Sequence, residues 1–112
     1  MTVTIYHNPR CSKSRQTLQL LQENGVDPTI VAYLETPPSA AEFKAILGKL
    51  GLAAKQVMRK KEAKEEGIDL DQAEDALIAA MVAHPRVIER PIVVKGDKAA
   101  LGRPPESVLD IL

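Results

Sequence analysis

The sequence contains a single cysteine, Cys11, among its 112 residues. An intrachain disulfide is therefore excluded, and the fold depends on an apolar core instead. A lone cysteine without a targeting segment is typical of a reducing compartment, where a thiol stays free for chemistry. We therefore expect a cytoplasmic protein whose one thiol is available to react.

The sequence also has no excess of charge and no long apolar run. Fifteen basic and fifteen acidic residues cancel to a net charge of zero, whereas nucleic acid or anionic membrane usually binds proteins with an excess of Lys and Arg. No segment approaches the roughly 20 apolar residues of a membrane span, and the first residues, Met1–Tyr6, lack the pattern of a signal peptide. We expect a soluble protein without nucleic-acid or membrane partners.

Candidate metal ligands are scarce as well. The chain has two histidines, and His84 stands before Pro85 at a predicted helix end, where a surface or capping role is the usual one. No second His, Cys or carboxylate lies at the spacing of a metal site. We therefore expect no bound metal.

The length fits one domain covering residues 1–112, since domains cluster near about 100–150 residues. Its first third has the pattern of a βαβ unit. Val3 and Ile5 alternate with threonines in a predicted strand, Thr2–His7, and Asn8-Pro9 breaks that strand. A helix over Ser12–Glu23 and a strand over Pro28–Leu34 follow, so these two strands are expected to pair in parallel.

The middle of the chain is predicted to be helical. Ser39 and Glu42 match a capping box that opens a helix ending near Leu50. The remaining middle elements are predicted as a short helix over Ala53–Lys61, a solvated loop or frayed helix over Lys60–Gly67, and a helix capped by Asp71 with Glu74 and ending near Ala83.

The last part of the chain returns to strands. Pro91–Lys95 and Lys98–Gly102 are two short predicted strands around Gly96-Asp97, a two-residue hairpin signal. A closing helix is predicted over Glu106–Leu112, with Pro105 suited to its first turn. This order is that of an α/β fold with a thioredoxin-like mixed sheet: βαβ, a helical insertion, then ββα.

The segment from His7 to Arg15 is the most informative part of the sequence. It places Cys11 at the carboxyl end of a parallel strand and at the start of a helix, where α/β folds bind ligands. Unpaired helix N–H groups stabilise a thiolate there and also bind oxyanions. Arg10, Lys13 and Arg15 add positive charge. A free cysteine is more often a small apolar core residue, but polar and basic neighbours on a loop favour a catalytic thiol.

Two residues near Cys11 have open roles at this stage. His7 either donates a hydrogen bond that favours the thiolate or is a polar strand terminus. Ser14 stands where a Cys-x-x-Cys motif has its second thiol, and it either hydrogen-bonds the thiolate or merely lies in the first helical turn. Without that second thiol, an outside thiol must resolve any intermediate formed on Cys11.

These residues, read with motifs farther along the chain, resemble the glutaredoxin-linked arsenate reductase family (ArsC-like). The resemblance covers essentially the whole chain, in the same order. The matching segments are His7-Asn8-Pro9-x-Cys11-x-x-Ser14-Arg15, Tyr33-Leu34-Glu35-Thr36-Pro37-Pro38, Met58-Arg59-Lys60, Glu89-Arg90-Pro91-Ile92-Val93-Val94 and Gly102-Arg103-Pro104. It implies a thioredoxin-like fold with an inserted helical region, and reduction of arsenate to arsenite with glutathione and glutaredoxin as electron donors. Glutathione is then a co-substrate, and no bound cofactor is expected.

The resemblance also implies roles for particular residues. Cys11 matches the cysteine that attacks arsenic, and His7 matches a histidine linked to lowering the thiol pKa. Ser14 and Arg15 match positions that support the thiolate. The arginines that hold the arsenate oxygens match Arg59, Arg90 and Arg103. The resemblance also implies a cis peptide bond before Pro91. Few X–Pro bonds are cis, so this expectation rests on the resemblance alone.

Arginine suits such a site because its planar, permanently charged guanidinium binds tetrahedral oxyanions bidentately. Each of these arginines also has an ordinary interpretation. Arg59 begins a basic run typical of a solvated surface, Arg90 precedes a proline that keeps the chain extended, and Arg103 ends a strand.

Two other functions fit parts of the pattern. A monothiol glutaredoxin-like oxidoreductase acting on mixed disulfides would also use Cys-x-x-Ser, but it has no need of three arginines. A non-enzymatic regulator of the Spx type, which binds RNA polymerase, has a related fold but commonly carries Cys-x-x-Cys. Ser14 and the arginines speak against that second alternative.

Overall fold

The computed structural model describes residues 2–112. They fall into two compact units, one made of the chain up to Thr36 together with Arg90–Leu112, and one made of Pro37–Glu89. The assignment of residues 1–112 to a single domain stays a prediction. The α-helices and strands, in chain order, are β1 (Val3–Tyr6), α1 (Ser12–Glu23), β2 (Thr29–Val31), α2 (Ala40–Leu50), α3 (Lys60–Glu65), α4 (Glu74–Ala83), β3 (Ile92–Lys95) and β4 (Lys98–Leu101).

The first unit contains a four-stranded mixed sheet in the order β2-β1-β3-β4. Strand β1 pairs in parallel with β2, with Ile5 opposite Ile30, and antiparallel with β3, with Ile5 opposite Val93. Strands β3 and β4 form the antiparallel hairpin. The expected α/β fold with a thioredoxin-like mixed sheet is confirmed, although each strand is shorter than predicted.

The core of this unit follows from the alternation in β1. Val3 and Ile5 lie on its buried face and pack with Leu21 of α1, Val93 of β3 and Val108. Because α1 packs against this core through Leu21, Cys11 lies at the start of a helix that is fixed to the sheet. The closing helix around Val108 is a 3-10 helix over Pro105–Ile111, not the α-helix predicted over Glu106–Leu112.

In the second unit, α2 begins as predicted. The Ser39 hydroxyl accepts a hydrogen bond from the Glu42 N–H at 3.1 Å, and the Glu42 carboxylate accepts one from the Ser39 N–H at 3.2 Å. The helix ends at Gly51, whose φ of +69° favours glycine. Its buried side chains belong to a core shared with α4, and the buried residues of the two helices are Phe43, Ile46, Leu47, Leu77, Ile78 and Met81.

The predicted helix over Ala53–Lys61 is wrong. The first part of this segment is a 3-10 helix that ends at Val57, and the chain continues in extended conformation through Met58 and Arg59. The extended backbone pairs with a distant segment: Arg59 N–H donates to the Val87 carbonyl and Glu89 N–H donates to the Val57 carbonyl, both at 2.7 Å. Helical periodicity in the sequence does not show such non-local pairing.

The charged stretch Lys60–Gly67 forms a short α-helix, α3, so the helical alternative was the correct one for most of it. The buried Ala63 gives α3 an inward face. The predicted cap at Asp71 is wrong, since α4 has Ala73 as its N-cap. The Glu74 carboxylate instead accepts a hydrogen bond from the Ala54 N–H at 2.9 Å.

Within residues 2–112, two peptide bonds are cis, Arg90-Pro91 and Arg103-Pro104. The first agrees with the expectation from the resemblance, and the second was not foreseen. Among the described helices, none is both long enough and apolar enough to cross a membrane.

Candidate active site

Cys11 is the N-cap residue of α1, with an extended backbone at φ −92° and ψ 123°. The turn before it is organised by Asn8, which is buried. The Asn8 side-chain oxygen accepts a hydrogen bond from the Arg10 N–H at 3.0 Å, and its carbonyl accepts one from the Cys11 N–H at 3.0 Å. Asn8 was expected to end the first strand and matches the family motif, but these hydrogen bonds to the loop were not predicted, although asparagine favours such turns.

The surroundings of Cys11 lower the pKa of its thiol. Partial burial acts to raise this pKa, but it is outweighed by groups that stabilise the thiolate: the Ser14 N–H, the Arg90 guanidinium and the Lys13 N–H. The two N–H groups are unpaired donors of the first helical turn, and they interact with the sulfur as helix N-termini do with anions. The described structure thus favours the charged, nucleophilic form of the Cys11 thiol.

Arg90 and Arg103 come together in front of this sulfur. Arg103 Nη2 lies 3.7 Å from Cys11 Sγ, and Arg103 Nε donates to the Arg90 carbonyl at 2.8 Å. The Arg90 guanidinium interacts with the thiolate by charge and hydrogen bonding. Its Nε is buried and has no hydrogen-bond partner within the described residues. A buried donor normally has a partner, so this atom is suited to an anionic ligand.

His7 and Ser14 form a buried pair below the loop. His7 Nδ1 lies 2.6 Å from Ser14 Oγ, and Ser14 Oγ accepts a hydrogen bond from the Asn8 N–H at 3.0 Å. Burial, together with the positive charge of Arg15, lowers the pKa of His7. The imidazole is therefore neutral at neutral pH, and we infer that the Ser14 hydroxyl donates to its Nδ1. His7 thus contacts the helix start, through Ser14.

Arg15 stabilises the same loop from its solvent-exposed side. Its Nη1 donates to the Pro9 carbonyl at 2.8 Å, and its charge acts on His7. The basic residues Arg10 and Lys13 are exposed on either side of Cys11. The loop is therefore held at both ends by side chains that the sequence analysis singled out, with the sulfur between them.

Arg59 belongs to the other unit. Its guanidinium forms an ion pair with Glu62 at 3.4 Å and a longer one with Glu89 at 4.0 Å. It is three-quarters buried, with 27% of its side chain exposed. The local role of Arg59 in its own unit is to join the start of α3 to Glu89. Its expected role as a substrate ligand stays a prediction.

Within the described residues, no group of three or more His, Cys, Asp or Glu side chains is placed to hold a metal ion. The chemical resources of the site are a nucleophilic sulfur, two guanidinium groups and helix N–H donors. Together they suit attack by the thiolate on a tetrahedral oxyanion.

Comparison with known proteins agrees with this chemistry. The model of the ArsC family matches residues 6–111. The chain is 49% identical to an arsenate reductase of Haemophilus influenzae over 100% of both chains. It is 54% identical to an uncharacterized protein of Escherichia coli, YfgD, over 98% of this chain and 96% of that protein.

A solved structure is equally similar. The arsenate reductase from Vibrio cholerae has 50% sequence identity and a TM-score of 0.91, covering 100% of this chain and 98% of its own. The family match spans nearly the whole sequence and includes the Cys11 loop and both arginine segments. The chain belongs to the ArsC family.

Proposed function

We propose that this protein is an arsenate reductase, in which Cys11 attacks arsenate and glutathione and glutaredoxin supply the electrons in the cytoplasm. The observation that carries the proposal is the placement of one thiolate-favouring sulfur beside two guanidinium groups, with Arg103 Nη2 at 3.7 Å. The relatives named arsenate reductase support the choice of arsenate as the oxyanion.

The two arginines are proposed to offset the repulsion between the thiolate and the arsenate. Thiolate and arsenate are both anions near neutral pH, so their approach requires cations fixed in advance around the reacting atoms. Arg90 and Arg103 are proposed to bind the arsenate oxygens, with the buried Nε of Arg90 as one donor. Arg59 is proposed as the third guanidinium, on the strength of the family resemblance. Holding the oxyanion at the sulfur also supplies the advantage of proximity.

The first two proposed steps form bonds to arsenic without changing its oxidation state. The Cys11 thiolate attacks arsenic, a proton is taken up, and one arsenic-bound hydroxyl leaves as water. Glutathione then attacks the same atom, a second S–As bond forms, and a second water leaves. Arsenic is still As(V) and now carries two sulfurs.

Reduction follows when a glutaredoxin thiol attacks the glutathione sulfur. That S–As bond breaks with its electron pair left on arsenic, which becomes As(III), and the two thiols leave as a mixed disulfide. Water hydrolyses the remaining bond to Cys11 and releases arsenite. In total, arsenate and two thiols give arsenite, one disulfide and one water. The outside thiols are needed because Cys11 is the one cysteine of the chain.

The supporting residues are proposed to hold the thiolate ready. Ser14 presents its N–H to the sulfur while its hydroxyl pairs with His7, so His7 fixes the helix start that stabilises the charge. Arg15 fixes the preceding turn through the Pro9 carbonyl. No bound cofactor is proposed, since glutathione acts as a co-substrate.

A cavity of about 250 Å³ lies beside this loop, and we propose that it holds the incoming glutathione. It is lined by the loop itself and by the segment that follows β2, including Leu34 and Glu35. Arg10 is the cation among the lining residues, and a guanidinium suits the carboxylates of glutathione.

A coupled assay tests the proposal. NADPH consumption is followed in the presence of glutathione, glutaredoxin and glutathione reductase, with arsenate added or left out. We expect arsenate-dependent consumption by the wild type and by Ser12→Ala, an exposed neighbour of the nucleophile, and none by Cys11→Ser.

Other outcomes would favour other functions. Turnover of a glutathionylated peptide without arsenate would indicate a monothiol glutaredoxin-like enzyme. Recovery of RNA polymerase subunits on the immobilised protein, with no turnover in either assay, would indicate a regulator of the Spx type.

A further inference from the structure

Three segments of the first unit meet at Gly102, and each carries part of the site. Gly102 follows β4 and precedes Arg103, Pro91 follows Arg90 at the start of β3, and Thr17 lies in α1, which begins after Cys11. The Gly102 N–H donates to the Pro91 carbonyl at 2.9 Å. The three residues are buried. The nucleophile and both arginines are therefore within a few residues of one packing point.

The packing at this point leaves no room for a side chain on residue 102. A β-carbon on Gly102 would lie 2.5 Å from Thr17 Oγ1, 2.6 Å from Pro91 Cγ and 3.1 Å from Pro91 Cδ. Packed carbon atoms normally lie about 3.5–4.0 Å apart. Gly102 is thus the residue that allows the end of β4 to approach both α1 and the start of β3 so closely.

The neighbouring atoms have little freedom to move aside. Thr17 is fully buried, and its hydroxyl donates to the Lys13 carbonyl at 2.8 Å in the first turns of α1. Pro91 is also fully buried, and its ring has no rotatable side chain to swing away. A methyl group at residue 102 can therefore be accommodated only by a shift of the backbone. The segments that would shift are those next to Gly102 and Pro91, which carry Arg103 and Arg90.

We propose that Gly102 is a positioning residue, whose missing side chain sets the distance of the Arg90 and Arg103 guanidinium groups from the Cys11 sulfur. Its effect passes through Pro91 to Arg90 and through the chain to Arg103. The two arginines are coupled to each other, since Arg103 Nε donates to the Arg90 carbonyl. Only the expected loss of turnover rests on the proposed function. The expected change in the pKa of the Cys11 thiol does not depend on which substrate the protein uses.

The test compares Gly102→Ala with Gly48→Ala. Gly48 lies in α2 of the other unit, and a β-carbon there meets nothing within 4 Å, so the same methyl group is added without a clash. The rate of Cys11 alkylation by iodoacetamide is measured against pH in each variant. We expect the midpoint to rise in Gly102→Ala by about one pH unit, the order of shift that a nearby charge produces, and to stay at the wild-type value in Gly48→Ala.

Turnover gives the second readout. In the arsenate assay, Gly102→Ala is expected to lose kcat/KM by roughly 100-fold, the cost of misplacing reactive groups by about 1 Å. If the wild type shows no turnover with arsenate, the proposed function fails, while the alkylation profile still tests Gly102. An unchanged midpoint in a folded Gly102→Ala would overturn the positioning role.

A double variant guards against loss of folding. Thr17→Ala in the Gly102→Ala background removes the nearest clashing atom, Thr17 Oγ1, and we expect part of the shift in midpoint to be reversed. Thr17→Ala alone serves as its reference. If neither the single nor the double glycine variant gave a cooperative unfolding transition, the proposal would also be wrong, because Gly102 would then support the fold as a whole.

Discussion

Arg103 Nη2 lies 3.7 Å from Cys11 Sγ, although the two residues are 92 positions apart in the sequence. The contact depends on the antiparallel pairings of β1 with β3 and of β3 with β4, which bring the end of β4 near the end of β1. The same guanidinium also holds the Arg90 carbonyl. One side chain therefore joins Cys11 to the segment that carries Arg90.

Replacing Arg103 with lysine is expected to lower kcat/KM for arsenate by about 100-fold, the usual cost of removing one preorganised donor from an oxyanion. Lysine keeps the charge but cannot bond the Arg90 carbonyl and reach the sulfur at once. Arg86→Lys is the matched control, since Arg86 binds Glu65 and Glu66 in the other unit. Equal activity of the two variants would remove Arg103 from the site.

Phosphate is expected to protect Cys11 from alkylation, because it has the tetrahedral shape and the negative charge of arsenate but forms no stable thiol adduct. In the wild type, rising phosphate should slow the reaction with iodoacetamide several-fold, by occupying the space between the sulfur and Arg90. Arg90→Gln should lose most of this protection. Equal protection in the variant would place the bound anion elsewhere.

Replacing Ser14 with alanine is expected to lower the free energy of unfolding by about 1–3 kcal/mol, the cost of leaving buried polar groups unsatisfied. The groups left behind are His7 Nδ1 and the Asn8 N–H. Ser12→Ala is the control, because Ser12 is exposed in the same helical turn and surface changes usually stay within about 0.5 kcal/mol. Urea denaturation measures both, and similar values for the two variants would contradict the account.

The lowered pKa of His7 gives the stability a defined pH dependence. In the unfolded chain this histidine binds a proton below about pH 6.5, whereas the folded protein resists protonation because the imidazole is buried near Arg15. The unfolded state therefore binds more protons in this range, and stability must fall as the pH drops below that value. Measured by urea denaturation from pH 7 to pH 5, His7→Gln should lose less stability than the wild type. A parallel loss in both would be inconsistent with a buried neutral imidazole.

Much of the fold could be predicted because its signals are local. The alternation of Val3 and Ile5 and the capping box of Ser39 with Glu42 each depend on a few neighbouring residues, and both agree with the structure. The wrong prediction over Ala53–Lys61 comes from a long-range contact. Met58 forms an isolated antiparallel bridge with Ile88, and this pairing keeps the residues around it out of the predicted helix.

The same distinction applies to the site. Cys11 could be located from its place between a strand and a helix, and the family resemblance pointed to Arg90 and Arg103. The sequence alone does not show the hydrogen bond between these arginines or the packing around Gly102. Both arise where distant segments meet, so no local pattern encodes them.

The ionisation of the Cys11 thiol tests the central claim most directly. As the one cysteine of the chain, it can be titrated by thiolate absorbance at 240 nm without interference from another thiol. We expect a midpoint below the ordinary thiol value of about 8.5, and a higher midpoint in Arg90→Gln. A midpoint at or above the ordinary value in the wild type would contradict it.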